Sequence, residues 1–307
     1  MPAIVQPYPE DQAKRFDELA ELFLLCRAAW REVTAETEGH PDPRSVAASD
    51  QREITEQIAP AQRPAPLMVP SAVQQYMLAA SEQFGGLAAL YQAQEVLYSP
   101  SSVARSALEH FACAAWVLDG DSAENRLARA YREHLKSAEE AKMNSGRLLG
   151  KEDPTHQQMA EAFKGLSKEI EEVFPDGWST NDGQRLLHGQ SKPGLEESVT
   201  WLLSEFLSRG QSRDVGRGTY GYISNMTHPT LYRISGLWAV EEQNGERTAV
   251  LDVRIEDHEK QAKLIVCPYY EVLARVIEYH GWPGIQHHKL TEAIDRLLPG
   301  TLKASGE

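Results

Sequence analysis

The chain has 307 residues, of which 41% are apolar and 25% charged, the composition of a globular protein long enough to bury a core without covalent staples. Thirty-one Lys plus Arg against 45 Asp plus Glu give a formal charge of −14, which argues against coating nucleic acid by bulk attraction but leaves room for a small basic patch. Three widely spaced cysteines (Cys26, Cys113, Cys267) indicate neither a disulfide framework nor a zinc cluster. The longest apolar run near the N-terminus, Phe23 to Cys26, is far short of the ~20 residues that span a bilayer. Met1 to Gln12 also lack the basic start and apolar stretch of a signal peptide, so a cytoplasmic protein with no membrane partner is expected.

The dominant period is helical. Phe16, Leu19, Leu22, Phe23, Cys26 and Trp30 recur at three- and four-residue steps and predict a helix from Asp11 to Val33. Residues 34–70 hold Pro41, Pro43, Pro60, Pro64, Pro66 and Pro70 without a sustained apolar period, and read as a linker or arm with one short helix at 52–58. Residues 1–70 are therefore expected to form an N-terminal helix and Pro-rich arm, and residues 71–307 the bundle domain. Helical pattern resumes over 71–97, and Ser99-Pro100-Ser101 opens a helix that stops at Asp119-Gly120-Asp121. Further helices are predicted over 125–149 after Ser122, from Pro154 to about Phe174, over 195–207 and over 213–227. The glycine- and proline-bearing stretch 175–194 reads as a loop. One late β-hairpin is expected near 236–255 around Asn244-Gly245, a dipeptide suited to a type I′ turn. Helices at 256–280 and 289–298 close the chain. The fold class is mainly α, a multi-helix bundle of seven to nine helices.

Two stretches carry candidate chemistry. In Arg105-Ser-Ala-Leu-Glu109-His110, the arginine and glutamate are four apart and share a helix face. So apolar a helix demands partners for its charges, because an unpaired buried charge costs several kcal/mol. In Tyr220-Gly-Tyr222-Ile-Ser224-Asn-Met-Thr-His228-Pro229, Ser224 and His228 are likewise four apart, near a helix C-terminus that favours an imidazolium. Arg209, Arg213 and Arg217 recur every four residues as one basic stripe leading into that segment.

An arginine, four residues and then a histidine on a helix resembles the Arg-x(4–6)-His signature of the HEPN superfamily, which is all-α and usually dimeric. Its ribonuclease members use the histidine and arginine on RNA without a metal. The Arg-x3-Glu helix followed by a Tyr-x3-Ser-x3-His-Pro segment is also similar to a HEPN-like group of bacterial proteins widespread in actinobacteria, with Arg105, Glu109, Tyr220, Ser224 and His228 at the matching positions. The resemblance covers roughly 71–280. It departs from the usual pattern in having no arginine four to six residues before His228, the nearest being Arg217. It implies a homodimer that acts on RNA or nucleotides as a metal-independent endoribonuclease, with no cofactor. In that chemistry a neutral histidine takes the ribose 2′-hydroxyl proton while a guanidinium stabilises the phosphate. Arg105 with His110 or His228 would fill those roles, Ser224 or Tyr222 would orient the phosphate, and Arg213 and Arg217 would bind it.

Blander readings stand beside these. Arg105 and Glu109 can be a structural ion pair, His228 a helix C-cap, and the arginine stripe a solvated face paired with Glu205 and Asp214. The chain would then be a non-catalytic ligand-binding or assembly module. A third reading is a small-molecule enzyme with a pocket under loop 175–194, where Trp178, His188 and Lys192 supply polar groups.

Overall fold

The computed structural model describes residues 8–181, 183–207, 212–225, 227–228, 231, 235–236, 238–243, 246–251 and 253–302. Among them, ten α-helices and two short hairpins follow in the order α1 (Glu10–Thr37), α2 (Val46–Glu53), α3 (Ala65–Gln92), α4 (Ser99–Leu118), α5 (Ala123–Leu149), α6 (Pro154–Val173), β1 (Trp178–Asn181), β2 (Gln184–Leu187), α7 (Leu195–Trp201), α8 (Arg213–Ser224), β3 (Trp238–Gln243), β4 (Glu246–Leu251), α9 (Ile255–His280) and α10 (Ile285–Leu297). The fold is mainly α with a late hairpin, as the periodicity predicts. None of these helices is long and apolar enough to cross a membrane.

Helix α4 is the hub because it is apolar nearly all round. Ala104, Ala107, Leu108 and every residue from Phe111 to Val117 are buried, and the alanines let α3, α5, α7, α8 and α9 approach closely. The caps are local. Ser122 Oγ accepts the Asn125 N–H at 3.1 Å to start α5, and Asp153 accepts the Thr155 N–H at 2.8 Å before Pro154 opens α6. Among the described residues the three cysteines are free and buried.

Residues 1–70 do not stand apart from the bundle. Phe16, Phe23, Cys26 and Trp30 of α1 sit in the same apolar cluster as Phe84 of α3, Phe111 of α4 and Tyr269 of α9. The expected boundary at residue 70 falls inside α3. The arm holds α2 and a π-turn over Ile54–Ile58, and Pro70 lies within α3. An internal proline costs a helix about 3 kcal/mol. Burial of Ala65, Val69, Ala72 and Val73 around it outweighs that penalty, which composition alone hides.

The stretch 175–194 is also more ordered than a loop. Trp178 pairs with Leu187 and Asn181 with Gln184 in an antiparallel ribbon, while Asp182 between its strands lies outside the described residues. Leu187 of β2 drops into a second core with Leu127 and Tyr131 of α5, Ile170 of α6 and Phe174, so the hairpin is seated on the bundle. In the late hairpin Trp238 pairs with Leu251 and Gln243 with Glu246, while the Asn244-Gly245 turn lies outside the described residues.

Gly281 ends α9 at φ +65°, and a Cβ there would meet the Cβ atoms of Asp42 and Ser45 at 2.9 Å. The left-handed backbone and the close approach both demand glycine. Gly281→Ala is expected to lose about 1–2 kcal/mol in urea unfolding, a larger loss than the exposed Gly165→Ala, which meets no neighbour and should gain slightly.

Candidate functional site at the junction of helices α4 and α8

The last turn of α4 that still touches solvent carries Arg105 and Glu109, and α8 delivers Tyr220 and the residues just past its end. Arg105 Nε donates to Glu109 Oε1 at 2.7 Å, and Arg105 Nη2 donates to the Tyr220 hydroxyl at 2.9 Å. That hydroxyl in turn donates to Glu109 Oε1 at 2.8 Å, which closes a three-membered ring of hydrogen bonds. Arg105 Nη1 donates to Thr227 Oγ1 at 2.6 Å and lies 3.3 Å from His228 Nε2, although the two chain positions are 123 residues apart. The guanidinium also sits 5.2 Å from the centre of the Tyr220 ring. These four hydrogen bonds use four of the five guanidinium N–H groups.

The electrostatics follow from partial burial. The Arg105 side chain is 21% exposed and that of Glu109 17%. Burial pulls the Arg105 pKa down, but the hydrogen bond and charge of Glu109 push it further up, so the net shift is upward. Burial first, then the bond to Glu109, raises the Tyr220 pKa. Because arginine has no acceptor, its contact with His228 Nε2 requires a neutral ring with its proton on Nδ1. His228 itself is exposed.

The other expected residues fall around this ring rather than in it. Ser224 is buried, and its carbonyl accepts the Thr227 hydroxyl at 2.7 Å, so it shapes the turn that presents Thr227 and His228. Thr227, which the sequence reading passed over, is the hydroxyl that reaches Arg105. It is legible in retrospect as the third residue after Ser224, where a helix-ending turn folds back. Tyr222 packs half-buried against the main core. His110 Nδ1 bonds the Ser106 carbonyl at 2.6 Å and does not join Arg105, because five helical residues turn it well around the axis. Arg213 is paired with Glu197 and with Glu205 at 3.0 Å, whereas exposed Arg217 has no ion pair among the described residues. Arg209, the first of the stripe, and Pro229 lie outside the described residues.

Two packing details hold α8 in place. Gly216 presses on α7, where a Cβ would come within 2.9 Å of the Thr200 carbonyl oxygen. One turn later Tyr220 meets Arg105 and Glu109. Glu109 and His110 also face a separate cavity of about 750 Å³ beneath the β1–β2 hairpin. Among the described residues no group of three His, Cys, Asp or Glu side chains could hold a metal ion. Comparison with protein-family models, with curated proteins and with solved structures gives no significant match to this chain.

Proposed function

We propose that the protein is a HEPN-like helical protein that engages RNA or nucleotides, without a metal ion, where the end of α8 meets α4. The observation that supports this reading is the approach of Arg105 Nη1 to His228 Nε2 at 3.3 Å beside solvent. A guanidinium and an imidazole in contact are the two groups that phosphodiester chemistry by proton transfer needs. In the resting arrangement His228 Nε2 is engaged by Arg105, and the ring offers Nδ1–H to a phosphate oxygen. A phosphate that takes over Arg105 Nη1 releases Nε2, which then accepts the 2′-hydroxyl proton as the 2′-oxygen bonds to phosphorus and the P–O5′ bond breaks. The guanidinium holds the developing charge, and the leaving 5′-oxygen takes a proton back from the imidazolium or from water. Thr227 keeps Arg105 aimed at the segment, and Arg217 supplies a further exposed cation. A cytoplasmic location and the homodimeric state usual in the superfamily belong to the same reading.

Purified protein with a mixed-sequence single-stranded RNA in EDTA tests it. Cleavage is expected from the parent chain and should fall by about 10²-fold or more in His228→Ala, with the helical circular dichroism unchanged because His228 is exposed. If the parent chain neither retains nor cuts RNA, the proposal fails. A structural reading then takes its place, favoured by one specific observation: Arg105 spends four N–H groups inside the protein. There Arg105→Ala strands Glu109 and loses about 1–3 kcal/mol.

A further inference from the structure

We infer a second site: the cavity between α4, α5, α6 and the β1–β2 hairpin binds a small organic oxyanion, a phosphate or carboxylate carried on an apolar body. At about 750 Å³ it has the size of pockets that enclose whole small molecules. The argument rests on which charges in its wall have partners. Glu109 is held by Arg105, and Glu133 is held by Lys192 and by the Tyr76 hydroxyl at 2.6 Å. Glu139 and Glu140 share Lys136 at 3.7 and 3.4 Å. Every acid of the wall is therefore next to a cation.

Two cations are left over. Arg132 of α5 and Arg185 of β2 have no ion pair among the described residues, and both lie against the Trp178 ring, with guanidinium carbons 5.6 and 3.8 Å from its centre. Arg132 Nε is buried and has no hydrogen-bond partner there. A buried donor left unmade costs about 1–3 kcal/mol, and a second guanidinium near the same ring adds repulsion. Burial, then the Arg185 charge, draws the Arg132 pKa below its ordinary value, against the opposing pull of the Glu133 and Glu139 charges, neither of which reaches it as an ion pair. An oxyanion with two acceptor oxygens removes both penalties, because a guanidinium fork matches a carboxylate or phosphate in two parallel hydrogen bonds. Leu135, Phe163 and Leu195 line the rest of the cavity and call for an apolar body on the ligand. The wall offers no activated nucleophile, since burial pushes the Cys113 thiol up to about 12 and keeps it protonated. This is a binding site on the residues present.

Isothermal titration of the full chain with phenyl phosphate, benzoate, inorganic phosphate and phenol tests the inference. One saturable site for phenyl phosphate or benzoate is expected, with none for neutral phenol and binding of inorganic phosphate at least about tenfold weaker. Arg132→Gln and Arg185→Gln should each weaken binding about tenfold or more. Arg185 is exposed on β2, so its variant remains informative even if Arg132→Gln unfolds. His228→Ala should leave the affinity unchanged, which separates this site from the RNA reading. No saturable binding of the three anions, or binding that survives both arginine substitutions, overturns the inference. Inorganic phosphate binding as tightly as phenyl phosphate overturns the apolar body.

Discussion

Arg126→Met is expected to destabilise the fold by roughly 3–5 kcal/mol, the largest loss from any single charged side chain described above. Arg126 of α5 grips Asp50 of α2 through both carboxylate oxygens, at 2.7 and 2.8 Å, and also donates to the Gly120 carbonyl. The Tyr279 hydroxyl of α9 donates to the same carboxylate at 2.9 Å. Asp50 is 5% exposed, so without Arg126 its charge has a single neutral donor and almost no water. Burial, followed by the Asp50 charge, raises the Tyr279 pKa and keeps that donor protonated. The triad ties three helices that are far apart in the chain, and its removal should lower the urea midpoint without changing the slope. Asp50→Leu combined with Arg126→Met should recover part of the loss, because it removes both charges but leaves the buried Tyr279 hydroxyl and the Gly120 carbonyl without these partners. Arg275→Ala supplies the contrast. Its pair with Glu278 lies in water at 3.3 Å and should be worth under about 0.5 kcal/mol.

The second large effect is a loss of stability in mild acid. His280 is fully buried, donates from Nδ1 to the Val276 carbonyl at 3.0 Å and stacks on Trp282 with ring centres 4.3 Å apart. Its Nε2 has no partner among the described residues. Burial drives its pKa down from 6.5 to about 4. His258 of α9, wedged edge-on against Phe16 with Nδ1 3.1 Å from the Tyr91 hydroxyl, is driven down to about 4 by the same cause. In the unfolded chain both rings take up a proton near pH 6.5, and in the fold neither does until about pH 4. The unfolded state therefore binds more protons across that window, and stability falls as the pH drops from 6.5 toward 4. For His280 the loss is roughly 3 kcal/mol once the window is crossed. Unfolding free energies measured at intervals from pH 7.5 to 4.5 check this, and His280→Phe should flatten the acid limb. A flat profile in the parent chain would contradict it.

Much of the architecture is legible because burial writes a helical period into the chain. The stripe from Phe16 to Trp30, the Ser122 and Asp153 caps and the strand pair around residues 244 and 245 all follow from local rules. Residues 34–70 resist such reading because their helices are short, proline-punctuated and stabilised by neighbours distant in sequence. The site divides along the same line. Arg105 with Glu109, four apart on one helix, is a local pattern, and the structure shows the pair. Three Arg-x4-His spacings occur in the sequence, yet Arg105 contacts His228 from the turn past α8, His280 is sealed in the core, and His134 lies half-buried on α5 with its Nε2 unpartnered among the described residues. Spacing identifies neighbours along one helix, whereas the meeting of α4 with the end of α8 is decided by how α7 and α8 pack. The grouping of Arg132 and Arg185 around Trp178 is invisible to motif reading for the same reason, since its members come from a helix and two strands.

The glycine contact between α7 and α8 has a consequence for how this chain can diverge. Gly216 is pinned to Thr200, and Tyr220, four residues on, is pinned to Arg105 and Glu109, so the two anchors index the helix like teeth on a rack. Each added residue turns a helix by about 100°. One insertion between the anchors would swing the phenol off its carboxylate and carry the imidazole at 228 away with it. Substitutions at Gly218 and Thr219 can therefore accumulate while the count of residues between the two anchors stays fixed, and length variation belongs at the surface tips such as the α5–α6 connection.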